Sequence, residues 1–491
     1  MTKLDKPDMD TAPVSRRRMW AILGLVLMVD ALDVIDGTVT NIAAPTIAAD
    51  LDGGVSLIKW LGPAYMLAMG ILLLVGGRLG DKFGQRRLFL IGLGGFTLAS
   101  ALAGFAPDPV LIILARIAQG AFGALLIPQG MAIMMKVFSP DMIAKAFGLF
   151  GPILGISAVL GPVLAGLIID ADMFGLSWRP IFLLTIVLGL IGLIVAAKLL
   201  PRDDGDRATV IDGWASGLLG LAMLGMMYGL IEGSTKGWTA GPVASVAVGV
   251  LLFAAFAYRQ RTAAHPLIVP SLLKNRGFTS GMVVGLVSFI AGTGLFFVLS
   301  LFMQEGLHAS PRTAALSMVP LTAGLIVATF AAMGGLVTKL GRTLVFVGLG
   351  ISIIGSGWLL ALVNYSGTDV SLWALAPAFL VIGIGTGLCY TTIPTIALGD
   401  AKPEEAGSAG GSLTSMQQLS TAIGSAAFSS VFYAYAASGY SHAMQVTLVV
   451  VVVATALSIP FVILMPRQAP AEPPEGGPAP EGGPAPEAAA A

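Results

Sequence analysis

The sequence predicts an all-α integral membrane protein, and two observations carry this prediction: its composition and its repeated apolar runs. Of 491 residues, 56% are hydrophobic and only 11% are charged, whereas soluble proteins carry about 25% charged residues. The apolar residues form long runs, and a helix needs about 20 of them to cross a bilayer. Such runs are too long for barrel strands, and lipid tolerates only helices and closed barrels.

Fourteen runs bounded by Gly, Pro or charge are predicted as transmembrane helices. An even number places both termini on one side, and Lys and Arg accumulate in cytoplasmic loops. With the N-terminus inside, only Lys59, Arg179, Lys236 and Arg312 fall outside, and Arg116 lies within a span. The charge pattern therefore predicts cytoplasmic termini. The predicted spans are residues 18–42, 57–76, 87–105, 109–131, 143–169, 178–199, 213–231, 241–258, 279–303, 314–337, 342–363, 371–397, 408–436 and 442–465.

The spans group into two six-helix bundles with two inserted helices between them. GGLVTKLGR from Gly334 repeats GGRLGDKFGQ from Gly76, with Thr338 in the place of Asp81. This repeat predicts duplicated halves, of which the first alone carries the acidic residue in this segment. The predicted division is a cytoplasmic N-terminal segment (1–17), an N-terminal bundle (18–200), a linker with two extra transmembrane helices (201–278), a C-terminal bundle (279–466) and a disordered Pro/Gly/Glu-rich cytoplasmic tail (467–491).

Several classes of function are excluded by what the sequence lacks. The formal net charge is +0, so there is no general basic surface for nucleic acid. A single cysteine, Cys389, and three histidines allow neither an intramolecular disulfide nor a Cys/His metal site. The sequence contains no HExxH, GxSxG or GxxxxGK[ST] pattern. We therefore expect neither an enzyme nor an ATP-driven pump, and no metal or cofactor.

Three acids in the first span are the strongest candidates for chemistry. Asp30, Asp33 and Asp36 are spaced by three residues in an apolar run, which places them within about one third of the helix circumference. Carboxylates in a membrane are costly, so we expect at least one to carry a proton or to attract a cation. The alternative is that they are packing groups satisfied by other helices.

The segment after the second span combines a carboxylate with basic residues and glycines. GGRLGDKFGQRR reads as a short cytoplasmic turn that forms a breakable latch between helix ends. Its alternative is the ordinary positive charge of a cytoplasmic loop. The predicted latch residues are Gly77, Asp81, Lys82, Gly84, Arg86 and Arg87.

Two further segments stand out in the fourth and fifth spans. Arg116 begins RIAQG within an apolar run, where a buried guanidinium needs a carboxylate or carbonyl partner; an aspartate of the first span is the expected one. In the fifth span, Gly161, Pro162 and Gly166 belong to GPVLAG, which predicts a tightly packed, bendable helix.

These segments resemble motifs of the major facilitator superfamily: the latch turn, the Arg-x-x-Gln-Gly element and the antiporter motif of exporters. IDGTVTNIAAPTIAADL, HPLIVPSLLKNRGF and GSAGGSLTSMQQLSTAIG are similar to its drug:proton antiporter family with fourteen spanners. The resemblance implies that Asp36 is the functional helix 1 aspartate and that Arg116 takes part in proton transfer. Asp30 and Asp33 are not part of the family pattern.

The resemblance implies a proton-coupled exporter of hydrophobic or cationic drugs in the plasma membrane, driven by the proton gradient. The alternative is a dedicated exporter of one endogenous metabolite, lipid or natural product. We expect a monomer whose partners are a small substrate, protons and lipid. Glu232 and Glu305 are expected to be solvated charges at the outer ends of helices. Further candidates for lining the cavity are Gln129, Tyr65, Gln304, Tyr390 and Gln418.

Overall fold

The structure is a computed structural model that describes residues 15–138, 149–207, 212–263, 266–399 and 405–467, together with Met142 and Ala146. The first 14 residues of the predicted N-terminal segment and residues 468–491 of the predicted tail lie outside this description. Fourteen long helices, labelled α1 to α14, follow in chain order: Arg16–Asp50, Gly54–Phe83, Gln85–Gly104, Pro109–Val137, Phe150–Ala171, Arg179–Leu199, Gly213–Lys236, Ala240–Thr262, Arg276–Gly306, Pro311–Leu340, Arg342–Ser366, Leu372–Gly399, Ala406–Ala436 and Tyr440–Val462.

The described residues are all-helical, without a strand, as the composition predicts. Eleven of their helices are long and apolar enough to cross a membrane. The other three are α1, α5 and α13, which coincide with the first, fifth and thirteenth predicted spans. The chain is therefore a multi-pass membrane protein, while fourteen spans and cytoplasmic termini stay predictions.

Helix starts follow local signals in the sequence. Asp108 caps α4 by accepting hydrogen bonds from the backbone N–H groups of Val110 and Leu111, both at 2.9 Å. Pro109 occupies the first position of that helix, where its missing N–H costs nothing. Asn275 caps α9 in the same way, through Gly277 and Phe278. These caps fix where the chain enters each apolar run.

The buried clusters reveal which ends of the two bundles are joined. We call α1–α6 the first bundle and α9–α14 the second, and we call the end that holds the predicted latch the inner end. At the outer end one buried cluster contains residues of both bundles, including Ile47, Leu61, Leu301 and Phe432. At the inner end the described residues form separate clusters, one in each bundle. Among the described residues, the bundles thus share a buried cluster at the outer end, whereas the clusters at the inner end are separate.

The inserted helices α7 and α8 pack against the seam between the bundles. A buried cluster joins Met223 and Met227 of α7 to Leu67 of α2 and Ala422 of α13. Helix α8 packs on α7 and presents mostly exposed apolar side chains such as Leu251. Outside the inserted pair, the polar contacts of α7 in the described residues are to α2: Ser56 donates to Glu232 at 2.9 Å. The contact of α7 with α13 of the second bundle is apolar.

An ion pair closes the inner end of the inserted hairpin. Asp212 caps α7 through the N–H of Ala215 and receives two hydrogen bonds from Arg259 of α8, at 2.9 and 3.0 Å. Burial alone would raise the pKa of Asp212, but the hydrogen bonds from Arg259 and from the backbone outweigh it and lower that pKa.

Candidate functional site

The three acids of α1 are all buried. Asp36 is 2% exposed, and Asp30 and Asp33 are each 7% exposed. A three-residue spacing keeps successive side chains on neighbouring positions of one helix face. Their surroundings differ, and each carboxylate has a different set of partners.

Asp36 forms a buried ion pair with Arg116 of α4, the partner expected from the sequence. Nη1 of Arg116 donates to Oδ2 of Asp36, and both side chains are almost fully buried. The second carboxylate oxygen accepts from Nε2 of Gln119 at 3.2 Å. Gln119 also donates to Ser100 of α3 at 2.8 Å. Asp36 is thus held from both sides, by a cation and by an amide.

Arg116 has further contacts that fix its position. Its Nε donates to the carbonyl oxygen of Leu61 at 3.3 Å, and Nη1 also donates to Gln119 at 2.9 Å. Its guanidinium carbon lies 4.4 Å from the centre of the Tyr65 ring. Nη2 has no partner among the described residues. A guanidinium with one unused donor can respond to a change of charge on Asp36.

Asp33 and Asp30 have no cationic partner among the described residues. The hydroxyl of Tyr65 donates to Oδ1 of Asp33, so a phenol rather than a cation satisfies that carboxylate. Asp30 lies about one helical turn nearer the inner end than Asp33. No hydrogen bond to its side chain is found in the described part of the chain. Three buried acids therefore share one buried arginine, and this imbalance is the chemical feature of the site.

The predicted latch turn is mostly helical, which corrects the sequence prediction. Helix α2 continues to Phe83, seven residues past the predicted end of the second span, and α3 begins at Gln85. Gly77, Asp81 and Lys82 therefore lie on the last turns of α2. Gly84 alone breaks the helix, with φ of +91°, a conformation that glycine adopts without steric cost. Arg86 and Arg87 follow in the first turn of α3.

The latch contacts the segment that follows α6. Asp203 accepts hydrogen bonds from the backbone N–H groups of Gln85 at 2.7 Å and Arg86 at 3.1 Å. The N–H of Asp206 donates to the carbonyl oxygen of Asp81 at 2.7 Å. The Arg86 side chain donates to the carbonyl oxygen of Ala197 at 2.7 Å. Sequence reasoning missed Asp203, because a cap contributed from another segment has no local pattern.

The glycines of GPVLAG make the close approaches that the motif predicts. A side chain at Gly161 would collide with Thr38 of α1, and one at Gly166 would collide with the backbone of Arg312 in α10. Pro162 lies inside α5. Helix α5 therefore touches both bundles at its outer half, where the two bundles are closed together.

The five further candidates divide by their contacts. Gln129 is 1% exposed and donates to the carbonyl oxygen of Gly76 at 2.7 Å, so it ties α4 to α2. Tyr65 belongs to the acid site. Gln304 donates to Ser300 at 3.0 Å within α9. Tyr390 stacks on Phe289, with ring centres 4.0 Å apart, and Gln418 is partly buried on α13.

The same glycine contacts occur in both bundles, so equivalent positions can be identified. Each contact brings a glycine of one helix against the backbone or a threonine of another. They are Gly120 on Tyr65 and Gly383 on Leu321; Gly161 on Thr38 and Gly424 on Thr293; and Gly92 on Phe122 and Gly348 on Gly385.

Counting along the helices from these contacts locates the counterparts of the acid site in the second bundle. The residues equivalent to Asp33, Asp36, Ser100, Arg116 and Gln119 are, in that order, Ser288, Ala291, Ser356, Phe379 and Ile382. All but Phe379 line a small cavity with a volume of about 30 Å³. A cavity of this size holds about one or two water molecules. The second bundle thus repeats the geometry of the site without its charges.

No group of three or more His, Cys, Asp or Glu side chains in the described ranges could hold a metal ion. The acids of α1 are surrounded by a phenol, an amide and a guanidinium.

Comparisons with known proteins identify a family from the sequence and a similar fold among solved structures. Residues 19–425 match the profile of the Major Facilitator Superfamily. A probable actinorhodin transporter of Streptomyces coelicolor is 36% identical over 452 residues, covering 87% of this chain and 78% of that protein. A puromycin resistance protein of Streptomyces alboniger is 34% identical over 438 residues, covering 87% of this chain and 86% of that protein. Among solved structures, an auto-inhibited peptide transporter of the POT family has a similar fold, with a TM-score of 0.65, 15% identity and coverage of 93% of this chain and 99% of that one.

Proposed function

The chain belongs to the Major Facilitator Superfamily, and from this membership we propose that it is a proton-coupled antiporter that exports hydrophobic or cationic drugs. Membership makes it a multi-pass transporter rather than an enzyme. We further propose fourteen spans with cytoplasmic termini, arranged as two six-helix bundles and an inserted pair, in the plasma membrane. No cofactor is required, because the proton gradient supplies the energy.

The observation that carries the proposal is the imbalance of buried charge in the first bundle. Among the described residues, Arg116 pairs with Asp36, while Asp33 and Asp30 have no cationic partner. Uncompensated carboxylates inside a membrane favour binding of a proton or of a cationic cargo. Because one carboxylate cannot hold both at once, competition between them couples the two fluxes.

The proposed cycle follows from this competition. Cargo binds from the cytoplasm at Asp33 and Asp36 when they are free of protons, and protonation from outside releases it. The carrier then returns to the state that opens inward and loses its protons to the cytoplasm. Arg116 tunes the two acids, and Asp81 with its basic neighbours stabilises the state that opens outward.

A dedicated exporter of one natural product is the second candidate, and one observation favours it. The relative with 36% identity is described as a probable actinorhodin transporter, and the relative with 34% identity as a puromycin resistance protein. Each description names a single compound. The two candidates share the mechanism and differ in cargo. A transport profile confined to one chemical scaffold would select the dedicated exporter.

The proposed coupling is tested in proteoliposomes that contain a pH-sensitive dye and carry an imposed pH gradient. Ethidium is added as the cationic probe, and the wild type is compared with Asp36→Asn and Asp33→Asn. Asp50→Asn is the matched control, because Asp50 lies at the outer end of the same helix and pairs with Arg179 at its surface. We expect proton flux on addition of ethidium in the wild type and the control, and its loss in at least one site variant. No flux with a folded wild type would overturn the export of cations.

A further inference from the structure

Glu305 is a carboxylate for which neither the family motifs nor the proposed cycle provides a role. It lies near the outer end of α9, in a π-helical turn from Phe302 to Gly306, a feature frequent at functional sites. The expectation that it is a solvated charge is wrong, because its side chain is partly buried between helices of the second bundle. Glu232, expected to be solvated as well, is 7% exposed.

Two phenols hold the Glu305 carboxylate. The hydroxyl of Tyr433 on α13 donates to Oε1 at 2.5 Å, and that of Tyr440 on α14 donates to Oε2 at 3.4 Å. No Lys, Arg or His nitrogen in the described ranges lies within 4.0 Å of the carboxylate. Its charge is thus met by neutral hydroxyls alone, as at Asp33.

The charged groups on the surrounding elements lie farther away or are engaged elsewhere. Arg312 begins α10, which packs against this turn, and His308 lies in the connection between α9 and α10. His442 on α14 packs on the Tyr435 ring. Lys236 on α7 is paired with Glu232 at 2.7 Å. None of them neutralises Glu305.

The first bundle meets this carboxylate through Tyr433. Lys59 of α2 is fully buried, and its Nζ lies 5.4 Å from the centre of the Tyr433 ring. The same Nζ donates to Ser234 and Thr235 of α7, at 2.9 and 3.0 Å. Tyr433 therefore links Glu305 to the place where both bundles and the inserted helices meet.

Other carboxylates on the outer side have ordinary roles. Asp50 pairs with Arg179, Glu232 pairs with Lys236, and Asp108 caps a helix. Asp52 and Asp369 are exposed. Among these outer acids, Glu305 is thus the partly buried one whose contacts in the described part of the chain are uncharged.

We propose that Glu305 is a second proton-binding site of the carrier, on its outer face, and that the response of transport to external pH depends on it. The proton comes from external water, binds one carboxylate oxygen and returns by the same route, so no other reactant is needed. Tyr433 conveys the state of Glu305 to Lys59 and so to the contact between the bundles. This inference rests on the proposed proton-coupled function.

The test measures ethidium transport in oriented proteoliposomes at fixed internal pH while the external pH is varied. We expect the wild-type rate to depend on external pH and the rate of Glu305→Gln to be nearly independent of it. Asp369→Asn is the matched control, because it removes an exposed carboxylate on the same side of the protein; its profile should equal that of the wild type.

A second variant separates a proton site from a purely structural contact. Tyr433→Phe keeps the ring near Lys59 but removes the donor to Glu305. Because that donor stabilises the ionised carboxylate, its loss should move the midpoint of the external pH profile upward without flattening it.

The outcomes distinguish this proposal from the proposed function. A wild-type dependence on external pH that survives in Glu305→Gln overturns the proposal for Glu305 alone. A wild type whose transport responds to pH on neither face overturns both proposals. Infrared difference spectra of the carboxyl band in the purified full chain follow the protonation of its acids and need no cargo. If Glu305→Gln left this titration unchanged, the result would also count against a proton site at Glu305.

Discussion

Asp36 and Arg116 depend on each other because each is the other's ion-pair partner among the described residues. Their other partners are neutral. Gln119 donates to Asp36, and Arg116 contacts the carbonyl oxygen of Leu61 and the ring of Tyr65. A buried ion pair is no proof of a gain in stability, yet removing one partner strands the other and costs about 3–5 kcal/mol. At this scale the sequence predicts that Arg116 needs an acid of α1. It cannot select Asp36 from three candidates, because that choice depends on the rotation of α1 against α4.

The pair predicts an asymmetry between single and double variants. We expect Asp36→Asn to destabilise the protein by about 3 kcal/mol, because Arg116 is left charged and buried. Asp36→Asn combined with Arg116→Gln should recover most of that loss, since no buried charge remains, while proton coupling stays abolished. Thermal unfolding in detergent measures the first effect and vesicle transport the second. Equal stability of the single and double variants would show that Arg116 finds another partner or water.

Helix α3 shows how an element can depend on a distant segment. Gly84 lets the chain turn between α2 and α3, and the first N–H groups of α3 then find the carboxylate of Asp203. The sequence predicts the turn residue and the helices on either side of it, because glycine and hydropathy act locally. The predicted end of α2 is seven residues too early, because charged residues at a helix end suggest a loop. The cap by Asp203 is not predicted, because it comes from a distant segment.

Asp203→Ala should loosen the start of α3. The cap satisfies two backbone donors, and the loss of an N-cap acid costs about 1 kcal/mol. Hydrogen exchange should increase at the first turn of α3 and at the end of α2, where Asp81 accepts from Asp206. Asp204→Ala is the control, because Asp204 is an exposed neighbour. Faster exchange in both variants would mean that the charge of the segment, and not the cap, protects the helix.

The hairpin of α7 and α8 should lose stability in acid through Asp212. Its pKa is lower in the folded chain than the ordinary 3.8, so its stabilisation is complete above that value and is lost as the pH falls through the folded pKa. The difference in melting temperature between the wild type and Asp212→Asn should be constant from about pH 5 to 8 and should shrink in stronger acid. In Arg259→Gln the acid-induced loss should begin at higher pH. Identical profiles for Arg259→Gln and the wild type would exclude the ion pair as the cause.

At the scale of the molecule, the two bundles repeat their glycine contacts but differ in charge. The acid site of the first bundle has its counterpart in a neutral cavity beside Ser288 and Ala291, and Thr338 stands where the first repeat has Asp81. The sequence repeat predicts this asymmetry at the latch. It does not predict the cavity, because matching its lining requires the register of four helices. Because the positions equivalent to the α1 acids are uncharged in the second bundle, we expect proton binding at those acids to act through the first bundle.

Alternating access predicts that fixing the outer contact stops the cycle in the state seen here. Ser310, the N-cap of α10, donates to Asp170 of α5 at 3.1 Å, so cysteines at these positions should be joined by a short bifunctional thiol reagent. The background is Cys389→Ala, because Cys389 is the one native cysteine. We expect Asp170→Cys/Ser310→Cys to lose transport on crosslinking and to regain it when a reducible linker is cleaved, since the bundles must separate outside to release cargo.

The single-cysteine variants should be insensitive to the reagent. Full transport by the crosslinked protein would show that the outer ends of α5 and α10 stay together throughout the cycle, and that the carrier opens elsewhere.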